Sequence, residues 1–147
     1  MSAEDNVRKV EAGLAAVNAR DTAGFMRLLE PGFKLHLLIK PEQLMPQGQK
    51  SEPEAFGEYL SMLYSAFPDF HVEQTNIRGS GNMVHQELVV HGTHSGALTL
   101  PNGLRVPPTG LRVRFPCEVF HTFNAGGGFV GSTGYVNLLD MMKQFKL

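Results

Sequence analysis

The chain has 147 residues, 42% of them hydrophobic and 18% charged, with a formal net charge of −1. That length suits one domain, 1–147, able to bury its own core, and the composition excludes the disordered and membrane-spanning classes. Without a basic excess nucleic acid is not an expected partner, and the single cysteine, Cys117, excludes an internal disulfide or a thiolate metal cluster.

The opening Met1-Ser2-Ala3-Glu4-Asp5-Asn6 is too acidic and polar for a secretion signal, and no apolar run approaches the roughly 18 residues of a membrane span. A cytoplasmic protein without membrane contact is therefore expected. Val7, Val10, Leu14 and Val17 recur at helical spacing, with Ser2 as a cap and Asp5 three residues on. Asp21 can cap a second, short helix carrying Phe25, Met26, Leu28 and Leu29, which Pro31-Gly32 stops. Phe33, Leu35, Leu37 and Ile39 alternate with Lys34, His36, Leu38 and Lys40, the pattern of a strand that Pro41 ends. Ser51, Pro53 and Glu54 start a third helix, with Phe56, Leu60, Leu63, Tyr64 and Phe67 as its apolar stripe and Pro68 as its stop.

Strands follow, at about residues 70–79, 82–95, 111–123 and 128–136, with Gly79-Ser80-Gly81 as the turn of the first hairpin. Leu98 to Gly110, punctuated by Pro101, Asn102, Gly103, Pro107 and Pro108, reads as a loop. Helices first and hairpin-linked strands afterwards predict an α+β domain with helices packed on one sheet face.

The last two strands carry the candidate chemistry. Alternation puts Leu111, Val113, Phe115, Cys117, Val119, His121 and Phe123 on the buried face. If Asn124 to Gly128 form the turn, Phe123 opposes Phe129, and Gly131, Thr133, Tyr135 and Asn137 share that face. Gly131 then lies opposite His121 and leaves open space. A few polar groups among apolar neighbours make a small-molecule site, with Phe115, Cys117, Thr133 and Tyr135 as its lining. His121 is either a core histidine with satisfied ring nitrogens or a proton-transfer group, since imidazole titrates near neutrality. Asn137 is a cap for the last helix, a cavity residue, or both. An enzyme reading requires His121 and Asn137 to look into one hollow.

Other polar groups point elsewhere. His91 and His94 are three residues apart on a strand, so they face opposite ways and make a poor metal pair; no metal is expected. His36 either reaches the cavity or points to solvent beside Lys34. His85 and Glu87 read as a solvated surface, Asp69 as a turn acid, and Met141-Met142 as helix packing.

Several segments together resemble the SnoaL-like polyketide cyclase family of the nuclear-transport-factor-two-like superfamily. They are Ser51-Glu52-Pro53-Glu54-Ala55-Phe56, Ala66-Phe67-Pro68-Asp69-Phe70-His71-Val72, His91-Gly92-Thr93-His94-Ser95-Gly96 and Pro107-Pro108-Thr109-Gly110, closing on an aromatic hairpin and a short C-terminal helix. The resemblance implies a cone of about three N-terminal helices packed on a curved, mixed, mostly antiparallel sheet that encloses a pocket. It also implies a homodimer packed through the sheet, no metal or organic cofactor, and a small hydrophobic molecule such as a polyketide as the partner. In these cyclases an Asp removes a carbon-bound proton in an intramolecular aldol closure, with a His nearby. By resemblance His121 falls near that histidine, Asn137 aligns with the aspartate, and Thr133 aligns with a tryptophan-type position. An amide is no base near neutral pH. The expectation is a cofactor-independent acid–base enzyme, a cyclase, isomerase or dehydratase, with His121 as base or acid and Asn137 holding oxygen. The alternative is a non-catalytic binder of hydrophobic ligands.

Overall fold

The computed structural model describes residues 2–40, 49–51, 53–99 and 103–147; the side chains of 37–40, 49–51, 53–56 and 138 lie outside that description. Expectations for Pro41, for Ser51 and Glu54 as caps, for Phe56 in the stripe, and for Pro101 and Asn102 fall outside it as well.

Helix α1 (Ala3–Asn18) begins where Ser2 and Asp5 cap each other's backbone amides, Asp5 N donating to Ser2 Oγ and Ser2 N to the Asp5 carboxylate, both at 3.1 Å. Asp21 Oδ1 accepts from Gly24 N and starts α2 (Thr22–Met26), a helix of five residues. Strand β1 (Leu29–Lys40) follows at once, so Pro31-Gly32 lies inside a strand rather than after a helix. The proline removes one ladder donor, and the register of β1 shifts across that stretch. Next come β2 (Gln49–Ser51), α3 (Pro53–Ala66), β3 (His71–Ser80) and β4 (Met83–Thr93). Within the segment expected to be a loop, β5 (Leu98–Thr99) pairs antiparallel with β6 (Arg105–Val106). Strands β7 (Arg112–Phe123) and β8 (Phe129–Asn137) lead into α4 (Leu138–Gln144). Among the described residues the helices are two long ones, α1 and α3, the short α2 between them, and the C-terminal α4.

The sheet runs β2-β1-β8-β7-β4-β3. Among the described residues only β1 and β8 pair in parallel; the other neighbours are antiparallel. Residues of α1, α3 and α4 all line one cavity against the sheet, so these helices share one side of it. Asn18 fixes the end of α1 by copying a strand's pairing: its amide donates to Val72 O at 2.9 Å and accepts from Val72 N at 2.7 Å. Tyr64 ties α3 to α1 by donating to Val17 O at 2.8 Å. Glycine is required at 92 because a Cβ there would sit 2.8 Å from Phe67, whose ring is buried against the strand.

Two apolar clusters flank the cavity. One includes Leu60, Phe67, Phe70, Val113, Phe115 and Phe145; the other is Val10, Phe33, Val84, Phe123 and Phe129. In the second, the Phe129 ring stacks on Phe123 with centroids 4.7 Å apart and meets Phe33 edge-on. Among the described residues no helix is long and apolar enough to cross a membrane.

Candidate functional site

The cavity between helices and sheet has a volume of about 400 Å³, within the range of small-molecule sites. Its walls are mostly aliphatic and aromatic. Among the described residues the polar side chains lining it are Tyr59, Gln86, Thr99, Cys117, His121 and Ser132. Phe115, Cys117, Val119 and His121 reach it as alternate residues of β7, as alternation predicted.

The partner strand differs from expectation. Phe123 does oppose Phe129, but the next pairs are Thr122 with Gly131 and His121 with Ser132. Val130 is therefore an extra residue, a β-bulge, and every later residue of β8 changes face. Ser132, Gly134 and Val136 line the cavity, whereas Thr133 and Tyr135 look out from the opposite side of the sheet. Asn137 is exposed at the end of that strand, where its Oδ1 accepts from Asp140 N at 3.0 Å as the cap of α4. His36 pairs with Thr133 on that outer side, one residue out of phase with the cavity-lining Leu35. The expected common face of His121 and Asn137 is not formed, and Ser132, not Gly131, stands opposite the histidine. Asn137→Ala is accordingly expected to cost about 1 kcal/mol of stability, through the lost cap, and to leave ligand affinity in the cavity unchanged. Urea unfolding and ligand titration of the same variant measure both.

What faces His121 instead is a compact polar corner. Its Nδ1 lies 2.7 Å from Ser132 Oγ and its Nε2 2.9 Å from Gln86 Oε1. Gln86 Nε2 donates to Gln74 Oε1 at 2.9 Å, which leaves Gln86 Oε1 as the acceptor facing the ring. The Nε2 of His121 thus carries the hydrogen, and Nδ1 offers its lone pair to the Ser132 hydroxyl. All three side chains of the corner are buried, at 3% exposure for Gln86, 8% for His121 and 7% for Ser132. Burial disfavours the imidazolium and pushes the His121 pKa down to about 4. The ring is therefore neutral at physiological pH. Tyr59, from α3, has its phenol pushed up to about 12 by burial and the nearby Cys117, so it stays protonated and able to donate. Burial likewise raises Cys117, to about 11, and keeps it a thiol.

Position 59 was not expected here because it stands one residue from the apolar stripe of α3. Gln86 was missed because its strand has no plain apolar face: Val84, Gln86, Leu88 and Val90 alternate with Met83, His85, Glu87 and Val89. The even set is the inner one.

The remaining histidines do other work. His94 is fully buried, and its Nδ1 takes the Thr109 hydroxyl at 2.9 Å and the Thr109 amide at 3.3 Å, tying Thr109 to the end of β4. His91 faces the other way, stacked on His71 and 3.0 Å from Glu73, so the pair does not converge on a metal. Asp69 is a turn acid that accepts from Thr93 N and Oγ1. Among the described residues, His85, Glu87 and Glu118 place their ligand atoms within 4.8 Å of one another. That group lies on the outer sheet face, away from the cavity, with His85 already bound to Glu118 at 2.6 Å and stacked on Phe120.

A family model of the SnoaL-like domain matches residues 10–131. No curated protein is matched by the sequence. Among solved structures, the chain is similar to AclR, a candidate hydroxylase from Streptomyces galilaeus, at 20% identity and a TM-score of 0.77, covering 99% of each chain. It is similar to IdmH, a candidate polyketide cyclase from Streptomyces antibioticus, at 21% identity and a TM-score of 0.75, covering 97% of this chain and 99% of that one. A third is a candidate polyketide cyclase from Xanthomonas campestris pv. campestris, at 20% identity and a TM-score of 0.72, covering 97% and 98%. At these identities the likeness is one of fold.

Proposed function

We infer the activity of this chain from its family and its cavity together: it belongs to the SnoaL-like domain family, and we read it as a cofactor-independent acid–base enzyme. Its substrate would be a small hydrophobic molecule bearing a carbonyl group, such as a polyketide, and its reaction a cyclisation, isomerisation or dehydration. The observation that carries this is the 2.7 Å contact between His121 Nδ1 and Ser132 Oγ on the wall of an otherwise apolar cavity.

The chemistry follows from the protonation states. A neutral imidazole with its Nδ1 lone pair turned toward the cavity wall is a base at any pH above about 4. Ser132, which lines the cavity beside the ring, can take a substrate proton while passing its own to Nδ1. The imidazolium so formed is unfavourable in an apolar site except beside the enolate created in the same step. Tyr59 supplies the neutral donor that such an enolate oxygen needs. The pairing of His121 with Asn137, on which the enzyme reading rested in the sequence, is lost; the reading now rests on His121 with Ser132 and Tyr59, and Asn137 has no part in it.

The homodimer belongs to the same proposal. The outer sheet face, with Phe120, Tyr135, His85 and Glu118, is the surface a second copy would cover, and molecular mass in solution tests it.

The activity can be tested without the natural substrate. 2-Tetralone is a bicyclic ketone whose acidic α-hydrogens report enolisation. In D2O the protein is expected to accelerate their exchange at least about a hundredfold over buffer, followed by proton NMR. Binding of the ketone without any acceleration would overturn the enzyme reading in favour of a ligand-binding protein.

A further inference from the structure

Five side chains from five elements form one unbroken hydrogen-bonded series from the protein surface to the cavity. Glu11 of α1 is exposed, and its carboxylate lies 3.1 Å from Gln74 Nε2 of β3. The series continues from Gln74 Oε1 to Gln86 Nε2 on β4, from Gln86 Oε1 to His121 Nε2 on β7, and from His121 Nδ1 to Ser132 Oγ on β8.

The outer end fixes the direction of every bond. An ionised carboxylate only accepts, so Gln74 must turn its amide nitrogen outward and its oxygen inward. Gln86 then donates to that oxygen and presents its own oxygen to the ring. His121 must carry its hydrogen on Nε2, which leaves Nδ1 an acceptor. The one hydroxyl hydrogen of Ser132 is consumed there. What Ser132 offers the cavity is therefore lone pairs, never a donor.

We propose that this cavity selects ligands presenting an O–H donor, enolic, phenolic or alcoholic, to Ser132, and that the surface carboxylate of Glu11 sets this preference through Gln74, Gln86 and His121. The proposal deepens the reading above by naming what the substrate carries, and it rests on that reading only in taking this cavity as the ligand site. Glu11, Gln74 and Gln86 are positioning residues. Combined with Tyr59 as a donor on the α3 wall, the corner complements a molecule with a carbonyl oxygen at one end and a hydroxyl at the other.

The test uses binding and a ring spectrum, not turnover. By calorimetry, the wild-type protein is expected to bind 2-naphthol about tenfold more tightly than 2-methoxynaphthalene, which can only accept. Ser132→Ala is expected to bring the two affinities within about threefold. Nitrogen-15 NMR should find the His121 ring hydrogen on Nε2. Glu11→Lys, an exposed change, replaces an acceptor by a donor at the outer end. It is expected to reverse the series, moving that hydrogen to Nδ1 and abolishing the preference for naphthol. Equal affinities in the wild type, a ring hydrogen on Nδ1 in the wild type, or a Glu11→Lys spectrum unchanged from wild type would each overturn the proposal. Failure of the tetralone exchange with the naphthol preference intact would remove the enzyme reading and leave this one standing.

Discussion

His121→Gln is expected to slow the α-hydrogen exchange of 2-tetralone by two to four orders of magnitude, roughly the range general-base catalysis supplies. Glutamine is the informative replacement because it can keep both of the contacts that hold the ring. Its amide nitrogen can donate to Gln86 Oε1, 2.9 Å from the present Nε2, and its oxygen can accept from Ser132. Packing and polar satisfaction are thereby largely retained while the basic nitrogen is lost. A purely structural histidine would tolerate this exchange with little change in rate. Ketone affinity, measured in parallel by titration, should change little, so that the loss appears in kcat rather than KM. A variant as active as the wild type would take His121 out of the mechanism.

The second large effect concerns acid stability and needs no substrate. The His121 pKa is pushed down to about 4 in the folded protein, against an ordinary value of 6.5. Between those two values the unfolded chain binds a proton that the native state refuses, so stability increases with pH across that window. Lowering the pH from 6.5 to about 4 should remove on the order of 3 kcal/mol through this residue alone, with no further loss below. That is a large part of the roughly 5–15 kcal/mol typical of a domain. Asp5 and Asp69 are held below their usual values by hydrogen bonds from Ser2 and Thr93 and add their own dependence at lower pH. The difference in urea midpoints between wild type and His121→Gln, taken at several pH values, isolates the histidine. Parallel curves for the two proteins would show that His121 titrates normally.

Much of this architecture is legible in the residues themselves. The caps at Ser2 and Asp21, the stripe of α3, the turn at Gly81 and the four long strands from residue 71 onward all follow from local chemistry that tertiary packing does not override. The pairing of Gly-Thr-His with Pro-Thr-Gly has a physical basis in the structure, since His94 and Thr109 are bonded to each other. His121 falls on the buried face because β7 is regular. The facing of β8, and with it Ser132, is not legible in the sequence. A count from the turn cannot see an extra residue, and the hairpin carries one beside the stacked Phe123 and Phe129 rings. One unpaired valine moved Thr133, Tyr135 and Asn137 out and Ser132 in. Gln86 and Tyr59 are hidden differently, each a single polar atom set in a pattern that reads as ordinary surface or core.

The bulge also makes tolerance to length change uneven along a short stretch of chain. Removing Val130 would join Phe129 directly to Gly131, restore a regular ladder, and leave Ser132, Gly134 and Val136 where they are. The facing stretch of β1, around Pro31-Gly32, is irregular too, so its pairing has slack at that level. Adding one residue between 131 and 132 would do the opposite, turning Thr133 inward at the place Gly134 now holds and the bulky Tyr135 inward at that of Val136. Two neighbouring codons thus differ in kind: loss at the first is silent for the interior, and gain just after the second would fill it.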